Sequence, residues 1–512
     1  MFEQILQGVM MALTWQGIAM IALGVFVGIT VGAIPGLTSV MATAILVPFS
    51  FFMPPVLGIP FLLGIHKGTL FGGSIPAILV NTPGTAPAAA TCMDGFPLAQ
   101  KGEARSAIQM ALYSSTIGDT FSDLVLILAA LPLAAVALMF GPAEFFGLLL
   151  MGLAIISSVT GASLVKGVLS ALIGLQLGMV GTDIVSGGER FTFGLHGLAE
   201  GIGVVPLLIG LFAVSEVLIQ AEKKASVLAS PPDTLHLRGG RKLKIIEVWH
   251  SARTIVRSSM IGTFVGAIPG TGAAIATFVS YAAAKRASKK PEEYGKGSYE
   301  GVAASEAANS AVAGADLIPT LTFGIPGDPS AAILMGAFIA QGLRPGPSLF
   351  QEHAPVMYAI FTLLLIGNPI MLVQGWLLTG MFAKIVTIRQ SLLVPGIIVS
   401  CLVGAYVYHS NLGDLILALV AGLFGYGFRK LKFPMAPLVI AFILAPRAEE
   451  ALQQALIISD GDYSVFITRP IAAFFIGMTV LMLVTSIWKR PWAETLRPQP
   501  VADSNISKEE SK

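Results

Sequence analysis

Long apolar runs return from one end of this chain to the other: Trp15 to Ile34, Phe121 to Phe140, Leu164 to Val185, Gly201 to Ile219, Tyr358 to Phe382, Val394 to Tyr408, Asp414 to Phe428 and Ile471 to Trp488. A helix crossing about 30 Å of hydrocarbon needs about 20 mostly apolar residues. With shorter and interrupted runs included, the pattern predicts about ten to twelve membrane segments. The expected fold class is therefore an all-α polytopic membrane protein. Composition agrees: 54% of the residues are hydrophobic and 12% charged, against about 25% charged in globular domains, too few to coat several soluble domains. The segment from Met1 to Gln16 has no basic n-region, so the first apolar run is expected to stay in the mature protein.

The net charge is +2, and the basic residues sit in short clusters between apolar runs, which speaks against nucleic acid as a partner. Cys92 and Cys401 supply neither a disulfide framework nor paired metal-ligand spacing. The six histidines are scattered without His-x-x-x-His spacing, so no transition-metal site is expected. Gly270-Thr271-Gly272 lacks the third glycine of a dinucleotide fingerprint.

The chain repeats itself. GITVGAIPGLTSVMAT from Gly28 matches GTFVGAIPGTGAAIAT from Gly262 at constant offset, and SIPAILVNTPGTAPAAA from Ser74 resembles LIPTLTFGIPGDPSAA from Leu317. Two related halves follow, 1–220 and 258–490, joined by a basic linker, 221–257, and ending in a polar tail, 491–512, expected to be disordered.

Charge placement gives the halves a relative orientation. Arg253 and Arg257 precede the second GAIPG motif, Lys285, Arg286, Lys289 and Lys290 follow it, and no Lys or Arg occurs from Met1 to His66. By the positive-inside rule the basic loops are cytoplasmic, and the asymmetry predicts inverted repeats. Further clusters at Arg429, Lys430 and Lys432, and at Lys489 and Arg490, place the C-terminus in the cytoplasm of a multi-pass inner-membrane protein. Between Ser258 and Ala284 the Pro-Gly interruption leaves arms of about 12 residues, roughly 18 Å of helix. A re-entrant hairpin is expected there, with a continuous but kinked span as the alternative.

Four breaks in the apolar pattern, two per half, carry the candidate chemistry: Pro35-Gly36-Leu37-Thr38, Asn81-Thr82-Pro83-Gly84-Thr85, Pro269-Gly270-Thr271-Gly272 and Thr322 to Pro329, which contains Pro326, Gly327 and Asp328. Irregular backbone at membrane depth is tolerated only where protein buries it or water reaches it. Paired breaks in corresponding positions point to a transporter binding site, where helix N-termini meet a carboxylate and freed carbonyls or side-chain oxygens meet a cation. The alternative is that Gly and Pro kink or pack these helices. Asn81, Thr271, Thr322 and Asp328 are the ion-coupling candidates. Lys67 and Lys166 lie in apolar surroundings, where each could draw an anionic substrate or snorkel to the interface. Asp94 and Asp183 read as markers of segment ends and turns.

The motifs VGAIPGLT, FGGSIPAILVNTPGTAPAAATCMDGFPLA, GERFTFG, PLLIGLFAVSEVL, GAIPGTGAAIATFVSYAAAK, LIPTLTFGIPGDPSAAILMGA and FPMAPLVIAFILAP, spread from about residue 10 to 490, resemble the large membrane subunit of the tripartite tricarboxylate transporters, the TctA family. The resemblance implies a secondary transporter importing carboxylates on a Na+ or H+ gradient, without a cofactor. Its implied partners are a small membrane subunit and a periplasmic solute-binding protein, and its implied movement is elevator-like. His66-Lys67 departs from the apolar pattern expected there and makes Lys67 a candidate specificity residue; Asp328 after the second Pro-Gly is a further departure. A passive channel or a membrane-embedded enzyme are the competing classes. The enzyme would need a nucleophile with a base or a metal cluster, and no such motif occurs in the sequence.

Overall fold

The computed structural model describes residues 2–159, 163–183, 187–222, 241–386 and 390–488. Residues 223–240 of the basic linker, including Lys223, Lys224 and Arg238, and the whole tail lie outside the described residues, as do Lys489 and Arg490. The first half comprises α1 (Phe2–Ala12), α2 (Trp15–Gly32), α3 (Ser39–Ser50), α4 (Pro55–Gly72), α5 (Ser74–Val80), α6 (Ala89–Gln100), α7 (Ala104–Ala137), α8 (Pro142–Val159), α9 (Leu164–Gly178), α10 (Val204–Leu208) and α11 (Ser215–Glu222). A π-helical turn, Ile209–Val214, joins the last two. The second half comprises α12 (Ile245–Gly266), α13 (Gly272–Ala287), α14 (Tyr299–Ala315), α15 (Leu317–Phe323), α16 (Pro329–Ala340), α17 (Leu349–Glu352), α18 (Ala354–Ile385), α19 (Gln390–His409), α20 (Leu412–Lys430), α21 (Met435–Ile458), α22 (Val465–Thr468) and α23 (Pro470–Trp488). Among the described residues the only strands are β1 (Gly181–Thr182) and β2 (Glu189–Arg190), paired antiparallel.

Six helical stretches are long and apolar enough to cross a bilayer: Trp15–Gly32, Pro55–Val80, Ala104–Ala137, Val204–Glu222, Ala354–Ile385 and Leu412–Lys430. Shorter apolar helices, among them Ser39–Ser50, Pro142–Ser157 and Pro329–Ala340, accompany them. Large apolar side chains such as Trp376, Leu377, Leu423 and Phe474 remain exposed on the outer helices, as a lipid-facing surface requires. The protein is an all-α, multi-pass membrane protein.

The repeated motifs adopt the same local geometry. After Gly32 the amide of Ala33 donates to Ile29, that of Ile34 to Val31 (3.0 Å) and that of Leu37 to Ile34; after Gly266 the amides of Ala267, Ile268 and Thr271 donate to Thr263, Val265 and Ile268. Gly36 and Gly270 both take positive φ, 88° and 84°. The helix order α2 to α7 returns as α12 to α16 followed, after the short α17, by α18.

Four expectations change. The second motif does not sit between half-length arms: α12 has 22 residues and α13 has 16, about 33 and 24 Å at 1.5 Å per residue. Helix α12 begins at Ile245, inside the stretch read as linker, where Glu247 accepts the Lys244 amide at 2.8 Å and so caps the helix start. The run Leu164 to Val185 is helical only to Gly178, since Gly181 turns the chain at φ 122° into the β-pair. Asp94 marks no turn: it lies within α6, buried, and accepts the amides of Gly295 (2.8 Å), Gly297 (2.9 Å) and Ser298 (2.8 Å) and the Tyr281 hydroxyl (2.8 Å). It ties the loop between α13 and α14 to the first half. Asp183 does sit at a turn, exchanging backbone hydrogen bonds with Gly187 and Gly188.

Helix α2 packs against α4 backbone to backbone. A Cβ on Gly28 would stand 2.4 Å from the Ile65 carbonyl oxygen, and one on Gly68 would stand 2.4 Å from that of Val25. Gly24, Gly32, Gly64 and Gly72 are equally confined by the facing backbone, the small-residue contact that lets membrane helices gain dispersion energy. In the second half Gly262 and Gly266 face Ala308 and Val312 of α14. Gly28→Val is therefore expected to reduce the yield of monodisperse protein and lower its melting temperature, with overpacking costing about 1–3 kcal/mol. Gly380→Ala, where nothing lies within 4 Å of the added carbon, should leave both unchanged.

Candidate functional site

In each half the hairpin tip meets the later break. The Gly270 amide donates to the Gly327 carbonyl at 2.6 Å. In the first half the Gly84 amide donates to Gly73 at 3.2 Å, and a Cβ on Gly84 would lie 2.4 Å from the Gly32 carbonyl oxygen at the end of α2. Across the halves, α16 packs on α3 and α4, while the turn Ala86–Ala88 packs on α13 and α14. The elements that follow the breaks thus pack across the two halves.

The two later breaks share a left-handed cap: Asn81 ends α5 at φ 53°, and Gly324 ends α15 at φ 69°. Pro76 and Pro319 accept the capping amides. Asn81 is exposed and Thr82 and Pro83 are half-buried, whereas Gly84, Thr85, Pro326, Gly327 and Asp328 are buried. Several candidate oxygens serve the backbone. Thr38 Oγ1 accepts the Met41 amide (3.3 Å) at the start of α3, Asp328 Oδ1 accepts that of Ala331 (2.8 Å) at the start of α16, and Thr322 Oγ1 donates to Ile318 (2.6 Å). Thr271 Oγ1 donates to Val265 (2.5 Å) and Ile268 (2.9 Å), fastening the tip to the end of α12. Pro35, Pro269 and Gly272 complete the tips, the first buried and the others half-buried.

Behind the breaks lies a buried polar cluster that was only glimpsed in the sequence. The Lys67 ammonium, 2% exposed, reaches Asp123 Oδ2 at 2.5 Å and Asp119 Oδ2 at 3.1 Å. It also donates to Asn368 Oδ1 at 2.8 Å, and the Asn368 amide returns a bond to Asp123 at 2.7 Å. Asp119 and Asp123, one turn apart on α7, present one face to α4 and α18. His66, one residue before Lys67, points elsewhere: Nδ1 is 2.9 Å from Ser39 Oγ at the start of α3, and Nε2 is 3.6 Å from Asp316 Oδ2 at the joint between α14 and α15. A second cluster surrounds buried Glu306, which accepts from Thr91 and, at 3.1 Å, from Ser115. By contrast, Lys166 is at an edge, its ammonium on the Leu431 carbonyl (2.6 Å) and over the Phe433 ring, the snorkelling arrangement.

A cavity of about 840 Å³ opens beside the second later break, lined by Arg344, Gly346, Ser348 and Arg447 together with Arg190 and Glu449. Arg190 is paired with Glu449. Arg447 donates to the Pro345 carbonyl at 2.5 Å and lies directly over Gly324, whose added Cβ would meet its guanidinium. Neither Arg344 nor Arg447 has a carboxylate within 4.0 Å among the described residues.

Sequence reasoning missed Asp119, Asp123, Asp316, Glu306 and Asn368. The signal for one pair was present: two aspartates four apart in IGDTFSDLV straddle the start of the apolar run Phe121 to Phe140, the spacing of one helix face.

Comparison with known proteins now assigns the class. A multi-pass membrane protein with paired helix breaks around buried charge has the build of a transport protein. Residues 18–440 match the tripartite tricarboxylate transporter TctA family, and the chain belongs to that family. It is 38% identical over 485 residues to an uncharacterized 52.8 kDa protein in the TAR-I ttuC' 3' region of Agrobacterium vitis, covering 93% of this chain and 94% of that protein. It is also 38% identical over 226 residues to an uncharacterized protein in the TAR-II ttuC' 3' region of the same organism, covering 44% of this chain and 93% of the relative. No solved structure matches the chain.

The pairing of Lys67 makes a stability prediction. Lys67→Met strands two buried carboxylates, and removing one side of a buried pair costs about 3–5 kcal/mol, so detergent-solubilised protein should unfold at markedly lower temperature. Adding Asp123→Asn to it should recover part of the loss; no recovery would mean that the two side chains do not act as a pair.

Proposed function

We propose that this protein is the large membrane subunit of a binding-protein-dependent secondary transporter that imports carboxylates, tricarboxylates or related organic acids, on a Na+ or H+ gradient. The observation that supports this reading is the pairing of helix breaks in the two repeats, with the break before α16 setting Asp328 beside buried Asp316 and His66. The helix N-termini that follow the breaks, at the starts of α3, α13 and α16, present positive helix ends to a carboxylate. Asn81, Thr271, Thr322 and Asp328 lie where an accompanying ion would be carried. Lys67 acts on selectivity through the two carboxylates that hold it. The cavity lined by Arg344 and Arg447 gives an anion a route to the second later break.

In this reading the repeats are inverted in an inner membrane, the linker and C-terminus are cytoplasmic, and hairpins and broken helices move elevator-like past a fixed scaffold. A small membrane subunit and a periplasmic solute-binding protein complete the transporter. Its class is transport and not catalysis. A passive channel would not need paired breaks joined to buried charge.

Uptake of labelled citrate and other di- and tricarboxylates into proteoliposomes, with both partner proteins and an imposed ion gradient, tests the function; flux that neither saturates nor responds to a gradient would favour the channel. Two residue-level outcomes are expected. Asn81→Ala and Asn81→Gly should both reduce uptake at normal membrane insertion; recovery in the glycine variant would assign Asn81 to backbone geometry alone. Thr271→Ala should reduce uptake and Thr271→Ser restore it, because the hydroxyl fastens the tip.

A further inference from the structure

The buried cluster holds more negative charge than the protein neutralises. Asp119, Asp123, Asp316 and Asp328 are all at most 8% exposed, and the nearest buried cation is Lys67. One ammonium against four carboxylates leaves three negative charges without a partner, or two if His66 is protonated. Uncompensated charge at membrane depth is costly enough that ionisable groups there bind protons, bind ions or pair.

The deficit has a definite place. Asp119 and Asp123 share Lys67. Asp316 has no such help: it is fully buried beside the Asp328 carboxyl and the Leu317 amide, no Lys or Arg lies within 4.0 Å of it among the described residues, and the imidazole Nε2 of His66, itself without a hydrogen-bond partner, is aimed at it from 3.6 Å. Asp328 stands close to both Asp316 and His66. The remaining groups around this trio are Ser39 of α3, on the far nitrogen of the ring, Lys67 of α4 and Asp119 of α7.

We propose that His66, Asp316 and Asp328 form a proton-binding site, and that the ion coupled to transport is H+. The inference rests on the transport reading above. An imidazole between two carboxyl groups can pass a proton. With Nδ1–H donating to Ser39, the lone pair of Nε2 faces Asp316; a proton moving from Asp316 to Nε2 leaves a carboxylate beside an imidazolium, so no net charge appears. A sodium ion fits this place poorly. It would need several oxygen ligands, but the trio contributes a ring nitrogen, Asp328 has one oxygen committed to the Ala331 amide, and the Lys67 ammonium already occupies the neighbouring position. Asp328 also starts α16 at the break, so a change of charge there is transmitted directly to the backbone proposed to bind substrate.

Infrared difference spectroscopy of the full-length protein in lipid nanodiscs tests the site without requiring a substrate. The C=O stretch of a protonated carboxyl group should be present at neutral pH, should persist when KCl is exchanged for NaCl, and should be lost in Asp316→Asn or Asp328→Asn. His66→Gln should shift the pH at which it disappears. Absence of the band in the unaltered protein, or its removal by NaCl, would overturn the assignment; the salt exchange needs no variant, so misfolding of a variant does not rescue the idea. In proteoliposomes containing the partner proteins, Asp316→Asn should lose citrate accumulation driven by a pH gradient while retaining citrate exchange. Loss of both would also count against the coupling role. If the unaltered complex exchanges no carboxylate, the transport reading fails, while the infrared result still decides whether the site holds a proton.

Discussion

Everything central in this protein depends on two helices touching backbone to backbone. The glycines of α2 and α4 remove the side chains that would hold the axes apart. Helix α4 can then lie in the middle of the molecule, with its residues from Gly58 to Gly72 buried. That burial gives His66 and Lys67 protein neighbours on different faces, the α3 start and Asp316 for one, α7 and α18 for the other. Were α4 at the lipid boundary, the same two residues would be charges or dipoles facing hydrocarbon, which the bilayer does not tolerate.

The second constraint is the demand that irregular backbone be enclosed. Each tip is closed by the break of its own half, and the helices starting at the breaks pack on the opposite half. Asp94 adds a fixed link of the same kind by holding three amides of the loop between α13 and α14. Hydrogen bonds that would otherwise be lost to lipid are thus made between segments far apart in the chain, so the breaks stabilise one another.

Much of this was legible in the sequence, for a simple reason. Apolar length and Pro-Gly punctuation are local, so the all-α class, the repeat and the four breaks could be read from Gly28, Ser74, Gly262 and Leu317 onwards. Helix lengths were less legible where polar residues continue a helix beyond its apolar part, as at the start of α12. The buried network was largely invisible, because nothing local to Lys67 reveals that α7 will set Asp119 and Asp123 against it or that α18 will add Asn368. Asp94 illustrates the limit: a residue followed by Gly-Phe-Pro has the composition of a turn, and its helical position depends on amides about two hundred residues away.

The matched caps at Asn81 and Gly324 have a consequence for how the family can diversify. Both positions hold the backbone in a left-handed turn, which asparagine tolerates and glycine adopts freely. The cap at Asn81 is exposed and carries an amide side chain, whereas the cap at Gly324 is bare and covered by the Arg447 guanidinium. Replacing Asn81 by aspartate or glycine changes charge and bulk at that cap within the same backbone. At Gly324 any side chain would displace the arginine. Two caps built to one plan therefore have unequal freedom to change: the first is open to other side chains, while the second is held by its neighbour.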